Sequence, residues 1–433
     1  MTTSNKKRSK LRAFAWLLPV VLGWVSCSEN YSFEPTTVTG PAFDASQPVQ
    51  VTSLLPDSGG YLTRFVLKGS NFGTDVSKIK VLFNGNRRAT VVSSNGTTLY
   101  GIVPKQENGD NTVTVSVADN QPTTVPQTFH YTKVERVTTV TGGQAGYVDG
   151  TLAEARFEYM YGVGVLKGNN VVMVEGRNNR VRLVAPDDDK VTTLYTGANF
   201  GKPAVTRDGT RFYLVQLTKP HLVLVFDQAN AWAPKKLATG IAGFDGEIFA
   251  CALTDDEKHL YFRDHNGKLG RLLIENPEEV EVLNENCGKV DKNISYLVWN
   301  PVEKCFYLSL QNGQGIYKVS QDGKTVEEYA GFNGVGGSDG PRLQATLRNP
   351  TGMAFDVDGN MYFTESMGHT IRKIDRITGM VTTVAGKFQS EGAVDGLPLE
   401  ARFQYPYDIC IDSDGNFFII QGWGRSLKKF AIE

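Results

Sequence analysis

The chain has 433 residues, of which 40% are hydrophobic and 21% charged, and its formal net charge is −1. The first 26 residues hold five basic and no acidic side chains, so the remainder carries 40 basic and 46 acidic residues, a net charge of −6. This balance excludes a protein that binds nucleic acid through a basic surface. The length of the remainder predicts more than one domain.

Residues 1–26 predict an export signal. Five basic residues precede an apolar run from Ala13 to Val25, which is too short to span a bilayer. Ser26 directly before Cys27 resembles the lipobox of bacterial lipoproteins, although Trp24 departs from the usual leucine. The resemblance implies lipidation of Cys27 and an outer-membrane protein anchored at the cell surface. A simple secretory signal with a chance cysteine is the alternative.

Residues 27–47 are polar, with Pro, Thr and Ser and no hydrophobic periodicity, and they predict a flexible tether. From Pro48 onward, seven short alternating strands separated by turn residues predict a small β-sandwich over residues 48–132. The stretch KGSNFG that ends at Gly73, followed by VLFNG at 81–85, resembles the IPT/TIG family of Ig-like domains. The resemblance implies that Phe72 is a core residue.

Residues 133–433 form a repeat array. The segment VDG at 148–150, followed after one residue by LAEARF, returns as VDG at 394–396, followed after one residue by PLEARF, and a related SDG stands at 338–340. Units closed by a glycine recur every 43 to 55 residues. The last unit lacks the outer strand of the others, whereas an extra strand from Val137 to Thr141 precedes the first unit. We therefore predict an all-β chain in which six four-stranded blades follow the sandwich and this N-terminal strand closes the propeller.

Three segments of the fifth unit, NPTGMA at 349–354, DGNMY at 358–362 and GHTIRKI at 368–374, resemble the NHL repeat family of propellers. The match is strong in the first, fifth and sixth units and weaker in the middle three. The resemblance implies a six-bladed ring that binds a ligand or a partner, with a minority of enzymes among its relatives.

Most recurring polar residues have a structural interpretation. Asp149, Asp339 and Asp395 occupy one position in three units, which favours a loop-fixing role over catalysis. The DGN segments at 358–360 and 414–416 predict tight turns rather than calcium loops. We predict no metal site, no cofactor and no catalytic residue.

The remaining cysteines lie mainly in apolar, strand-like segments of the repeat array. Buried free thiols are expected there, with a Cys287–Cys305 bridge as the alternative. The four residues are Cys251, Cys287, Cys305 and Cys410.

Two sets of residues are candidate ligand contacts. Alignment of the units places three charged residues, Glu175, Arg263 and Glu365, at one mouth of the central channel, where they hold a polar ligand or form a solvated ring of ion pairs. Aromatic residues and one arginine cluster where the first and last units meet. They either form an exposed platform for sugar or peptide, or pack between blades. These residues are Tyr159, Tyr161, Tyr405, Tyr407, Trp423 and Arg425.

These observations predict a cell-surface lipoprotein that acts as a non-catalytic binding module. The expected ligand is a glycan or a peptide, the propeller is the ligand platform, and the IPT/TIG domain is a spacer within an outer-membrane uptake complex. One alternative is a propeller hydrolase or lyase that uses the channel acids Glu175 and Glu365. Another is a scaffold for protein–protein interaction.

Overall fold

The computed structural model describes residues 39–106, 108–118, 120–176 and 179–432. The predicted export signal, Cys27 and most of the predicted tether lie outside these residues. The chain folds as two compact units, one ending at Tyr131 and one running from Thr132 to Glu433. No α-helix occurs in the described ranges, and none of their helical segments is long and apolar enough to cross a membrane.

In its described residues, the first unit is a β-sandwich with eleven strands in three sheets, ordered β1-β3-β7-β6, β10-β9-β4-β5 and β2-β11-β8. Seven of them correspond to the predicted strands, and the others are two or three residues long. The strands are β1 Gln50–Leu55, β2 Ser58–Gly59, β3 Arg64–Ser70, β4 Ile79–Phe83, β5 Arg87–Arg88, β6 Thr90–Ser94, β7 Thr98–Ile102, β8 Gly109–Asn111, β9 Val113–Val117, β10 Thr123–Thr124 and β11 Phe129–Tyr131. A 3₁₀ helix, Val76–Lys78, precedes β4.

Alternating burial along these strands builds the sandwich core. In β4 and β9, every second residue is buried, so each strand turns one face inward. The rings of Phe65, Phe83 and Phe129 meet edge to face in this core. Phe72 is fully buried in the same cluster, which confirms its predicted role.

The described part of the second unit contains six sheets, each built mainly from consecutive strands. The first sheet has β13 Met160–Val165, β14 Val171–Glu175, β15 Arg180–Ala185 and β16 Lys190–Thr196. The second has β17 Ala204–Val205, β18 Arg211–Val215, β19 Val223–Asp227 and β20 Pro234–Ala238. The third has β21 Cys251–Leu253, β22 His259–Arg263, β23 Leu269–Leu273 and β24 Val280–Asn284. Two more 3₁₀ helices, Pro186–Asp188 and Gln228–Asn230, lie between the third and fourth strands of the first two sheets.

The fourth sheet has β25 Ser295–Asn300, β26 Cys305–Leu310, β27 Gly315–Ser320 and β28 Val326–Ala330. The fifth has β30 Pro350–Phe355, β31 Met361–Glu365, β32 Thr370–Ile374 and β33 Met380–Gly386, with the short β29 Gly340–Pro341 added beside β33. The sixth has β34 Pro406–Ile411, β35 Phe417–Gln421 and β36 Ser426–Ile432.

The sixth sheet receives its outer strand from the start of the unit. Strand β12, Glu135–Gly142, pairs antiparallel with β36, so the pairing predicted for Val137 to Thr141 is present. The innermost strands contact one another in the order β13, β17, β21, β25, β30 and β34, and β34 contacts β13 again. The first and last sheets are therefore neighbours.

The repeated aspartates fix the loops that enter three of the sheets, as predicted. Asp149 accepts hydrogen bonds from the backbone N–H and the hydroxyl of Thr193, at 2.8 and 2.9 Å. Asp339 and Asp395 accept the same pair of bonds from Thr383 and Thr139. Each loop is thereby held against the outer strand of its own sheet.

The two DGN segments are turns, as predicted. The Oδ1 atom of Asp356 accepts hydrogen bonds from the N–H groups of Asp358 and Asn360, and Asp412 does the same in the sixth sheet. The φ of Gly359 is 80°, a left-handed conformation that favours glycine.

The four cysteines of the second unit are free thiols, so the alternative Cys287–Cys305 bridge is absent. Cys251, Cys287 and Cys305 are buried, as expected. Burial raises the pKa of the Cys251 thiol to about 12 and that of Cys287 to about 11. These thiols are therefore packing residues.

Candidate ligand-binding site

The predicted aromatic cluster forms where the first and sixth sheets meet, but most of it is packed inside the protein. Tyr159 and Tyr407 are buried, with 8% and 7% of their surface exposed, and their ring centroids lie 5.2 Å apart. Tyr161 and Tyr405 are half-buried. An exposed platform made of the four tyrosines is therefore wrong. They lie at or next to the starts of the innermost strands, and all four pack into one hydrophobic cluster.

A contact across the ring accounts for this burial. The hydroxyl of Tyr296, in the fourth sheet, donates a hydrogen bond to the backbone carbonyl of Tyr161, in the first. In a ring of six, these two sheets lie opposite each other, so the contact crosses the central axis. Phe249 of the third-sheet loop meets the Tyr161 ring edge to face at 6.0 Å. Aromatic side chains therefore fill the axis at this end.

Trp423 is more exposed than the four tyrosines of the cluster. It is 39% exposed, and its ring meets that of Tyr159 edge to face, with centroids 5.0 Å apart. Tyr159 in turn contacts the rings of Tyr161 and Tyr407. The indole thus rests on a packed aromatic support, which limits its motion and presents part of its surface to solvent.

Polar groups flank this indole. The Nε of Arg425 lies 3.3 Å from a carboxylate oxygen of Glu158, and its Nη1 donates to the carbonyl of Trp423. Both side chains of the ion pair are partly exposed, at 31% and 24%. Tyr405 lies on the same end of the ring, where its ring meets His369 edge to face at 4.8 Å. We call Trp423, Arg425, Glu158 and Tyr405 the seam surface.

The charged residues predicted at the channel mouth are inside the sheets instead. The Glu175 and Glu365 side chains are fully buried, each paired with an arginine of the neighbouring strand: Arg182 at 2.7 Å and Arg372 at 3.0 Å. Each carboxylate also accepts the N–H of a residue two positions before the first strand of its own sheet, Glu158 or Arg348. Both acids are engaged in holding the sheet to its loop, so a solvated ring of these acids is wrong.

Arg263, the third predicted member, is 2% exposed and has no carboxylate within ion-pair distance in the described structure. Its guanidinium donates to the backbone carbonyls of Cys287 and Lys289, both at 2.7 Å. Burial lowers the pKa of Arg263, while the nearby acidic groups Asp264 and Asp291 oppose this effect. The residue holds a loop of the third sheet and does not reach a ligand surface.

Sequence reasoning missed the arginines that join these acids to the loop aspartates. Arg182 bonds both Glu175 and Asp149, and Arg372 bonds both Glu365 and Asp339. A separation of 7 residues from acid to arginine recurs in both sheets. In the sixth sheet, Lys428 bonds Asp395 and stands seven residues after the neutral Gln421. This repeated spacing was the available signal.

The sequence analysis also missed a buried ion pair between Lys202 and Asp408. Lys202 Nζ is 2.7 and 2.8 Å from the two carboxylate oxygens of Asp408 and 3.1 Å from the carbonyl of Ile409. Asp408 also accepts the backbone N–H of Val163 at 2.9 Å. Three sheets, the first, second and sixth, are thereby joined at one point.

The described residues contain no group of three or more His, Cys, Asp or Glu side chains placed to hold a metal ion. His369 is 7% exposed, and burial lowers its pKa. It packs on Tyr405 and supports the seam surface from below.

Comparison with known proteins agrees with this architecture. Residues 48–131 match the IPT/TIG domain model. A human protein, NHL repeat-containing protein 2, is 21% identical over 311 residues. The chain spans only 39% of that relative and 25% of an Arabidopsis thaliana relative, SUPPRESSOR OF QUENCHING 1. The fold and these matches define an IPT/TIG domain followed by an NHL-type propeller.

One solved structure extends the match to nearly the whole molecule. A Bacteroides thetaiotaomicron protein of unknown function is 38% identical, with a TM-score of 0.79 over 91% of this chain and 100% of that one. The chain belongs to the same family as this Bacteroides protein. Two auxiliary nutrient binding proteins share the fold. The one from B. thetaiotaomicron is 23% identical, with a TM-score of 0.60 over 90% of this chain and 99% of that one. The one from Bacteroides ovatus is 22% identical, with a TM-score of 0.63 over 91% of this chain and 100% of that one.

Proposed function

We propose that this protein is a lipid-anchored, non-catalytic binding protein of the cell surface, and that its propeller binds a nutrient glycan at the seam surface. The names of the two auxiliary nutrient binding proteins that share its fold support a binding role. The IPT/TIG domain serves as a spacer, and an outer-membrane uptake complex is the proposed setting.

The observation that carries this proposal is the partly exposed indole of Trp423 beside the Arg425–Glu158 ion pair. The apolar face of a sugar ring packs on an aromatic surface, and its hydroxyl groups bond to neighbouring donors and acceptors. The guanidinium supplies donors and the carboxylate supplies acceptors. Because the aromatic cluster holds the indole in place, little side-chain freedom is lost on binding.

The alternative of a hydrolase or lyase is not supported, because the two acids it requires are buried and paired. Glu175 and Glu365 are buried and bonded to Arg182 and Arg372, so neither carboxylate can reach a substrate. A general acid must lie within hydrogen-bond reach of the group that it protonates. The seam surface combines an aromatic ring with hydrogen-bond donors and acceptors, which suits a neutral polyhydroxylated chain, and this favours a glycan over a peptide.

Replacement of Trp423 tests the glycan site. We expect Trp423→Ala to weaken binding of the glycan that a glycan array identifies by at least about tenfold, or ~1.4 kcal/mol, because the stacking surface is lost. The affinity is measured by calorimetry with the Cys27→Ser form lacking the export signal. Tyr147→Ala is the matched control, since Tyr147 is an exposed aromatic residue, at 58%, on a loop of the first sheet outside the seam surface. An array without any bound glycan, or equal effects of both variants, would refute the proposed site.

The anchor is tested on the full-length chain. We expect Cys27→Ser to abolish incorporation of labelled fatty acid and to move the protein from the detergent phase to the aqueous phase of a Triton X-114 separation, because the thiol is the acylation site. Cys251→Ser is the control, since that thiol is buried in the third sheet. Label retained in Cys27→Ser would show that the anchor assignment is incorrect.

A further inference from the structure

A cavity opens at the end of the ring opposite the seam surface. Its volume is about 670 Å³, and it is formed by the first, second, fifth and sixth sheets. The residues that line it lie where the innermost strands end, for example Val165 in β13 and Ile411 in β34. Trp423 and the buried tyrosines lie at the other end of those strands. Small-molecule sites in proteins occupy about 300–1,000 Å³, so the cavity is large enough for a ligand.

Several polar groups that line this cavity already have partners within the protein. Lys202 bonds the Asp408 carboxylate and the Ile409 carbonyl, and its side chain is only 10% exposed. The hydroxyl of Thr206 bonds Asp208, and Asp412 accepts three hydrogen bonds from its own turn. A ligand hydroxyl placed here would lose its hydrogen bonds to water and gain few or no hydrogen bonds to the protein, which costs free energy. The interior therefore disfavours a sugar.

Part of the wall is apolar. Val165, Val205, Cys410 and Ile411 are half-buried and line the cavity, with Met353 behind them. Covering such partly exposed side chains removes apolar surface from water, which favours binding of an apolar molecule. Among the described residues, no aromatic side chain lines the cavity, so the stacking that helps to hold a sugar is missing.

The rim carries balanced charge. Lys167 and Arg207 contribute two positive charges, and Asp208 and Asp412 contribute two negative ones. Hydrogen bonds from Thr210 and Thr206 hold the pKa of Asp208 low, at about 2, so that carboxylate stays ionised at neutral pH. A rim without excess charge gives no net attraction to an anion or a cation.

We propose that this cavity is a second binding site, distinct from the seam surface, for a small uncharged apolar molecule whose polar end remains at the rim. Burial of its apolar body against the valine and isoleucine side chains supplies the affinity. The polar end stays near the side chains of Lys167, Asn169 and Ser413, which are exposed at the rim.

The neutral fluorophore N-phenyl-1-naphthylamine is the probe for this site. We expect it to bind the Cys27→Ser form lacking the export signal at one site with a rise in fluorescence. We expect Val165→Trp, which fills the cavity, to weaken that binding at least tenfold. Val357→Trp adds a bulky ring at the rim, where Val357 is 89% exposed and its replacement leaves the core untouched. A weakening of at least threefold is expected there.

Ile377→Trp is the matched control, because Ile377 is 82% exposed in the fifth sheet and does not line the cavity. It should bind the probe as the parent does, and so should Trp423→Ala, which separates this site from the glycan site. The absence of saturable probe binding would overturn the proposal. So would binding that both Val165→Trp and Val357→Trp leave unchanged, because the probe would then occupy another surface.

Discussion

Replacing Lys202 with methionine is expected to lower the free energy of unfolding of the propeller by about 3–5 kcal/mol, because it leaves the Asp408 carboxylate buried without its cation. Asp408 is fully buried, and burial raises its pKa, an effect that the Lys202 ammonium opposes. The lost ion pair joins the first, second and sixth sheets, so we expect the stability of the whole propeller to decrease. Urea denaturation of the Cys27→Ser form lacking the export signal, followed by tryptophan fluorescence, measures the change.

The double variant Lys202→Met with Asp408→Asn is the control. Asparagine has nearly the shape of aspartate and keeps an oxygen that can accept the Val163 N–H, but it carries no charge. Shape matters here because Asp408 lies directly against Gly352. We expect the double variant to recover at least half of the lost stability. Equal losses in both variants would mean that packing, and not the unpaired charge, sets the effect.

Replacing Arg372 with methionine is expected to cost about 3–5 kcal/mol, because the fully buried Glu365 then loses its cation. Lys428→Met provides a comparison within the same chain. Lys428 occupies the equivalent position of the sixth sheet, but the neighbouring Gln421 is neutral, and its partner Asp395 is 44% exposed. No buried charge is stranded, so we expect a loss of about 1–2 kcal/mol. Chemical denaturation of the two variants side by side measures the difference.

The loss in Arg372→Met should depend on pH. Burial raises the pKa of Glu365 above its ordinary value of 4.5, and Arg372 opposes that rise, so removing the arginine raises it further. Between the ordinary and the raised pKa, the folded state holds a proton that the unfolded state has released, so stability falls as pH increases through this window. We expect the deficit of Arg372→Met to shrink as pH is lowered toward 4.5. A deficit that is constant across this range would contradict an electrostatic cause.

Much of the fold was predictable because it rests on local patterns. Alternating apolar residues identified the seven main strands of the sandwich, and the unpaired strand near Val137 predicted the composition of the sixth sheet, which pairs β12 with β36. The same aspartate in three loops indicated a structural bond, and the structure places it on Thr193, Thr383 and Thr139. Repetition supports these inferences, because a residue that recurs at the same position of several units is expected to stabilise the fold of each unit.

The candidate site was much less predictable. The tyrosines were correctly assigned to the junction of the first and sixth sheets, yet whether each ring faces solvent depends on side chains from sheets far away in sequence. Tyr296 lies more than a hundred residues from Tyr161 and bonds to it across the ring. Glu175 and Glu365 occupy equivalent positions in their sheets, as predicted. Their burial and their ion pairs with Arg182 and Arg372 became evident only in the structure.

By itself, the sequence determined the two-domain organisation, the six repeated units, the strand that completes the last sheet and the loop-fixing role of the repeated aspartates. These follow from periodicity, because a residue or strand that recurs at one position of several units serves the same structural role in each of them. Only the tertiary structure decided that Trp423 is exposed while Tyr159 and Tyr407 are buried, that Lys202 pairs with Asp408, and that a cavity opens at the opposite end of the ring. The physical reason is that side-chain burial and ion pairing depend on how the six sheets pack around one axis. These contacts join residues far apart in the sequence, so no local sequence pattern predicts them.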